Sequence, residues 1–264
     1  MKADFHVHTT YSDGAQAPEE MIQTALNMGI THLGFSDHSF TRYDTSCCIP
    51  ESVIPAYRAE IERLKVKYSG RIKIYCGLEQ DIDSPLPQAE FDYLIGSVHS
   101  LCVQGRWFPV DWKREHIESL CELMGGDIYR VAEAYYDRVG QVAEQTHCDL
   151  IGHFDLIAKL NDRCRFFDEG HPRYVSAWQR AADELLKADI PFEINTGAMA
   201  RGYRSQPYPS GEIVAYLARQ GARFVLSSDC HDKKYLLWSF EKVKPWAEEL
   251  GGRVIDWQPQ HTER

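Results

Sequence analysis

Seven short runs rich in β-branched and aromatic residues recur along the chain, at Ala3–His8, His32–Asp37, Ile72–Glu79, Tyr93–His99, Leu150–Phe154, Phe192–Thr196 and Phe224–Ser228. Longer amphipathic stretches lie between them, including Pro18–Met28, Ile54–Tyr68, Asp127–Thr146, Pro172–Ala188 and Gly211–Gln220. Strands that alternate with helices need crossover connections, so this order predicts a parallel sheet packed against helices. No linker, low-complexity segment or internal repeat interrupts the 264 residues. The expectation is an α/β fold, one domain over residues 1–264, closed or nearly closed into a barrel.

Local signals agree with the helical pattern. Pro18 suits a first helical turn, Glu19 and Glu20 suit its dipole, and Gly29 falls where a C-terminal glycine belongs. Residues 101–126 fit neither period and contain Trp107, Phe108 and Trp112. A segment this long would cap the barrel mouth as a lid, unless its aromatics simply pack it down.

The strand ends carry the chemistry. His6 and His8 are two apart and share one face of the first strand. The next ends are SDH, with Asp37 and His38; GLEQD, with Glu79 and Asp81; GSVHS, with His99; and IGHFD, with His153. The last is SSDCH, with Asp229 and His231. In an α/β barrel these ends meet at one mouth, of order ten ångströms across. Six imidazoles and several carboxylates crowded there without cations would carry heavy desolvation and like-charge costs. Metal ions relieve both, and the donors exceed what one four-coordinate ion needs, so the pattern predicts a multinuclear site for zinc, manganese or iron. Cys230 points to the opposite face from its two neighbours and reads as a buried thiol. His32, His116, His147, His171 and His261 fall outside the pattern, with His171 in a helix-entry turn and His261 in a polar tail.

The net charge of −10 argues against long nucleic acids or an anionic membrane as partners. It leaves room for a small anion, because ions or arginines can invert the field within one cleft. No apolar run has membrane-spanning length, no signal peptide is visible, and the eight cysteines are scattered without a Cys-x-x-Cys pair. A cytoplasmic protein with reduced thiols is expected.

The segments DFHVHTTYSDG, GFSDHS, GLEQD, GSVHS, IGHFD, EINTGAMARGYRSQPYP and SSDCH run in this order from residue 4 to residue 231. Together they resemble the PHP superfamily, and most closely its stand-alone histidinol-phosphate phosphatases. The resemblance implies a distorted (β/α)7 TIM-like barrel with two or three divalent metal ions. It implies that His6, His8, Glu79 and Asp229 hold a first metal, and that Glu79 bridges to a second completed by His99 and His153. A third would rest on His38, His231 and a residue of the first loop, where some relatives have histidine and this chain has Asp13.

The same resemblance implies hydrolysis of L-histidinol phosphate to L-histidinol and phosphate, a step of histidine biosynthesis. A metal-bridging hydroxide would attack phosphorus, which makes Glu79, Asp229 and His231 the catalytic candidates. Arg163, Arg201 and Arg204 follow the fifth and sixth strands and are the candidates for holding phosphate. Asp81 would pair with the substrate ammonium or orient a ligand histidine, and Phe40 or Tyr43 would stack on the imidazole. Nucleotide phosphates or short oligonucleotides are the alternative substrates on this scaffold. A non-catalytic metal-stabilised module would be expected to have lost ligands, and an amidohydrolase would be expected to have eight strands and to use a lysine or a further histidine. Oligomeric state is not legible.

Overall fold

The computed structural model describes residues 1–88 and 90–259, so His261 lies outside the described residues. Among the described residues, eight parallel strands form one curled sheet. They are β1 (Ala3–Asp4), β2 (His32–Phe35), β3 (Lys73–Asp81), β4 (Tyr93–Ser97), β7 (Leu150–Ile151), β8 (Phe192–Asn195), β9 (Arg223–Ser227) and β10 (Arg253–Val254), in that spatial order. An antiparallel hairpin of β5 (Ser100–Val103) and β6 (Arg106–Pro109) stands apart from it.

The curled sheet matches the predicted barrel, with two differences. An eighth strand, β10, pairs with the start of β9; at two residues it is too short to show a period. The first predicted strand is also not continuous: its ladder with β2 stops at Asp4, and Val7 instead bridges Cys230 beyond β9. The His8 amide donates to the Cys230 carbonyl at 2.9 Å and the Cys230 amide to that of His6 at 3.0 Å, joining the first and last segments at the mouth.

Among the described residues, ten α-helical segments and the loops cover the sheet: α1 (Pro18–Asn27), α2 (Ile54–Lys67), α3 (Arg114–Leu123), α4 (Ile128–Val139), α5 (Val142–Thr146), α6 (Asn161–Cys164), α7 (Pro172–Leu186), α8 (Gly197–Ala200), α9 (Gly211–Arg219) and α10 (Phe240–Glu249). In α1 the buried residues Pro18, Met21, Ile22 and Ala25 form one apolar stripe, with Pro18 opening the helix and Glu19 and Glu20 in its first turn. The predicted helix over Asp127–Thr146 is broken into α4 and α5 at Gly140, where a Cβ would meet the Ala181 backbone of α7 at 3.4 Å. Residues 101–126 are not a structureless loop: they hold most of the β5–β6 hairpin and α3.

The barrel interior is filled from the bottom by Phe5, Tyr93, Ile95, Leu150 and Val225, with Trp257 against Phe5 at 5.0 Å and Tyr93 at 5.7 Å. The Tyr93 hydroxyl donates to the Phe5 carbonyl at 2.6 Å, and its ring crosses Gly77, where a Cβ would lie 2.3 Å from ring atoms. This apolar floor supports the polar groups at the mouth.

Candidate metal centre

Phe5 packs among the floor residues and His6 points at Glu79, so both face inward. The alternation of the first strand therefore breaks between them, which lets His6 and His8 sit above the apolar floor. His6 Nε2 lies 3.3 Å from Glu79 Oε2 and 3.8 Å from Asp229 Oδ1. His8 Nε2 lies 3.5 Å and 3.4 Å from the same two atoms. Donors separated this way at the corners of a tetrahedron surround a centre about 2.0–2.3 Å from each, the length of zinc–nitrogen and zinc–oxygen bonds. His6 Nε2 and His8 Nε2 are buried and have no hydrogen-bond partner, and Glu79 Oε2 faces imidazole nitrogens, with His38 Nδ1 nearest at 2.9 Å. Buried polar atoms are normally paired, so this donor set fits a cation.

Glu79 turns its other oxygen, Oε1, toward His153 Nε2 at 2.8 Å and His99 Nε2 at 3.2 Å. A third cluster gathers Asp13, His38, His231 and the second nitrogen of His8. Asp13 lies 3.2 Å from His231 Nε2, 3.6 Å from His8 Nδ1 and 3.8 Å from His38 Nε2. All nine predicted ligand side chains are thus in one place, with Glu79 common to two clusters and His8 Nδ1 adding a donor to the third.

The turn that brings Asp13 in has a clear local cause. Buried Asp37 accepts from the Thr9 amide at 2.7 Å, the Ser12 amide at 3.2 Å and the Ser12 hydroxyl at 2.6 Å. At Gly14 a Cβ would lie 2.5 Å from the His8 backbone, so only glycine lets the loop fold back this tightly.

The field within the cluster is strongly divided. Burial would raise the Glu79 pKa, but His38, His6 and His99 hold it well below the carboxylate range. Burial would likewise raise Asp229, and Arg201 and His6 hold it well below. His8 is pushed down to about 3 by burial and then by His231 and His38. For His6 burial acts downward, but Glu193, Glu79 and Asp229 outweigh it and hold the imidazole well above its ordinary value. Carboxylates kept ionised beside neutral His8 make a donor set ready for cations.

Two outer carboxylates orient the ring nitrogens. Asp81 lies 3.0 Å from His99 Nδ1, which turns Nε2 of that ring toward Glu79. Glu193 lies 2.6 Å from His6 Nδ1 and also accepts from the His153 amide at 3.1 Å. The sequence reading missed Glu193. Its signal was a charged residue inside the apolar run FEIN, where an ionised side chain needs a partner.

Beside the cluster is a cleft of about 390 Å³, a volume suited to a small ligand. Arg201 lines it and donates to the Asp229 carbonyl at 2.9 Å and to its carboxylate at 3.0 Å. Lys159, also missed, lines it too, paired with Asp111 at 2.7 Å and lying over the Tyr203 ring at 5.4 Å. Tyr43 and Trp112 contribute aromatic walls.

Three predicted substrate contacts are corrected. Arg163 is exposed outside the cleft, bonded to the Gly202 carbonyl and stacked over Tyr203 at 5.0 Å. Arg204 is buried behind the cleft against Glu169 at 3.3 Å; burial would lower its pKa, but Asp155 and Glu169 raise it. Phe40 faces a separate groove with Ile54 and Leu78, so of the two aromatics only Tyr43 reaches the cleft. Loop position gave the right segments, but not which way each side chain turned.

Asp229 adopts a left-handed backbone with φ of 49°, and the space for its carboxylate is made by Gly197. A Cβ at Gly197 would lie 2.7 Å from Asp229 Oδ2 and 2.8 Å from its Cβ. Gly197→Ala is expected to lower kcat/KM by about 10²-fold, since small displacements of reacting groups have effects of that size. Wild-type kinetics and wild-type metal content in that variant would show that Asp229 tolerates displacement.

Comparison with known proteins places the architecture. A family model described as "PHP domain" matches residues 4–197. A protein of Deinococcus radiodurans named probable histidinol-phosphatase is 29% identical, covering 96% of this chain and 95% of its own. The structure of a putative histidinol phosphatase from Listeria monocytogenes superposes with a TM-score of 0.77 at 21% identity, covering 91% of this chain and 99% of that one. That of the Lactococcus lactis histidinol phosphate phosphatase, complexed with zinc, L-histidinol and phosphate, gives 0.72 at 21% identity, covering 96% and 95%.

Proposed function

Because the chain belongs to the PHP domain family, we propose that it is a metal-dependent phosphomonoesterase that hydrolyses L-histidinol phosphate to L-histidinol and phosphate, in histidine biosynthesis. The observation that carries this reading is the set of buried, unpartnered donor atoms facing a common centre at the floor of a small-molecule cleft. The relatives named as histidinol phosphatases supply the substrate.

Two or three divalent ions, zinc, manganese or iron, would be held by His6, His8, Glu79 and Asp229; by Glu79, His99 and His153; and by Asp13, His38 and His231. Such ions would supply an acidified water as nucleophile and neutralise the phosphoryl oxygens. The residues do the rest. Arg201 and Lys159, the two lysine or arginine side chains lining the cleft among the described residues, bind the phosphoryl group. Asp81 and Glu193 keep His99 and His6 in the tautomers that face Glu79. Tyr43 and Trp112 stack on the substrate imidazole, and the hairpin and α3 segment within 101–126 covers the cleft as a lid. Among the described residues no helix is long and apolar enough to cross a membrane, all eight cysteines are free, and a cytoplasmic location is part of the proposal.

Steady-state kinetics on protein whose metals have been counted test the reading. Histidinol phosphate should be hydrolysed with a kcat/KM well above that of nucleotide phosphates, and the reverse preference would assign the alternative substrates. Arg201→Ala should raise KM for the phosphate ester by about 10–100-fold, the range for losing a charge-assisted contact. An unchanged KM would remove Arg201 from the phosphate site.

A further inference from the structure

Behind the cleft lies a second group of buried polar side chains that the mechanism does not use. Arg204, Asp155 and Tyr208 are at most 5% exposed. Arg204 donates through one amino group to Glu169, while its Nε and other amino group have no partner. Asp155 accepts from the Ser210 amide at 3.0 Å through one oxygen, and its other oxygen has none. The Tyr208 hydroxyl is also unpartnered, and the Arg204 guanidinium sits over the Tyr208 ring at 5.6 Å. Asp155 is the charge that acts most strongly on Arg204, yet among the described residues only Glu169 makes a direct ion pair with it.

Four unsatisfied polar atoms in one buried place, two of them on a guanidinium, would oppose folding by an amount comparable with the net stability of a domain. Two carboxylates against one guanidinium exclude a bound anion. The donors and acceptors alternate as a bridging water requires, since such a water needs two to four polar partners. We propose that Arg204, Asp155 and Tyr208 enclose a buried hydration site, and that Arg204 acts through it as a positioning residue for Arg201 and His153.

The position of this site in the chain explains the role. Asp155 follows His153 by two residues, and Arg204 follows Arg201 by three. The Tyr208 ring lies 6.3 Å from that of His153, and backbone bonds tie Tyr208 to Asn195 in both directions. The segment after β8 is further pinned to the segment after β7 where Ser205 donates to Asp162 at 2.7 Å. Water between Arg204 and Asp155 thus fixes the spacing between a phosphate-binding arginine and a metal ligand. The kinetic part of this inference rests on the phosphatase reading.

The test compares Arg204→Met, Arg204→Lys and Tyr208→Phe after substitution with cobalt(II), whose visible spectrum reports ligand geometry with no turnover. Arg204→Met should alter that spectrum, raise KM for histidinol phosphate about tenfold and change kcat less, as expected for a positioning group. Arg204→Lys should recover part of both. Tyr208→Phe should show the same changes at smaller size, and it decides the matter if Arg204→Met does not fold. Unaltered spectra and KM in the variants that fold would overturn the proposal. A high-resolution crystal structure with no ordered water among the three side chains would do the same. If wild-type protein hydrolyses no phosphate monoester, the phosphatase reading fails, and the spectra and the crystal structure still judge the hydration site.

Discussion

Glu79→Gln is expected to lower kcat by about 10³-fold or more, the largest effect of any single substitution at the mouth. Glu79 is the carboxylate common to two clusters, with Oε2 facing His6, His8 and His38 and Oε1 facing His99 and His153. Glutamine keeps the shape but replaces one anionic oxygen with an NH₂ group, which has no lone pair to offer a cation. Loss of the carboxylate also leaves the surrounding imidazoles without the charge that balances them. The variant should fold, because Ser97 still has an amide oxygen to donate to in place of Oε1. Kinetics together with metal content per chain check the expectation. Activity within tenfold of wild type at full metal content would show that Glu79 is not a bridging ligand.

Removal of metal should have an effect of similar size. A strong chelator is expected to reduce activity to background, and zinc, manganese or iron added back should restore it. Full activity at metal contents near zero would overturn the phosphatase mechanism. The pH dependence of metal binding has a definite sign. Without metal, His6 is held protonated well above its ordinary range by Glu193, Glu79 and Asp229, which outweigh the effect of burial. A cation facing its Nε2 must displace that proton. Affinity should therefore rise with pH through the neutral range, by about tenfold per pH unit for each proton released. Titration calorimetry in buffers of different ionisation enthalpy counts those protons; a flat profile would mean His6 is neutral in the metal-free protein. The same raised pKa favours folding of the metal-free protein below the unfolded histidine value, and that contribution is lost as pH rises through the folded value.

The hydrophobic periods carried the architecture. The alternation of strands and helices anticipated a barrel, and the curled parallel sheet agrees with it. What periodicity could not reach were elements too short to repeat, such as β10, and the hairpin and helix within residues 101–126, whose polar and aromatic residues follow no clean stripe. It also treated the first strand as regular, where the ladder breaks between Asp4 and Val7.

At the site, histidines and acids at strand ends were legible one by one, because residue type and strand polarity are local properties. Sequence could not show that Glu193 meets His6, 187 positions away. Nor could it show that Lys159 turns into the cleft while Arg163 and Arg204 turn out of it. Those facts depend on how loops after β7 and β8 pack on each other.

The sequence by itself determined which residues reach the barrel mouth, since side-chain alternation and chain direction are set within a few residues of backbone. Only the tertiary structure decided which of them face one another. The Val7–Cys230 bridge closes the sheet and brings Asp229 to His6 and His8, and the Asp37-braced turn swings Asp13 to His38 and His231. These pairings arise from contacts between distant segments, and they are settled by burial and charge at the closed mouth.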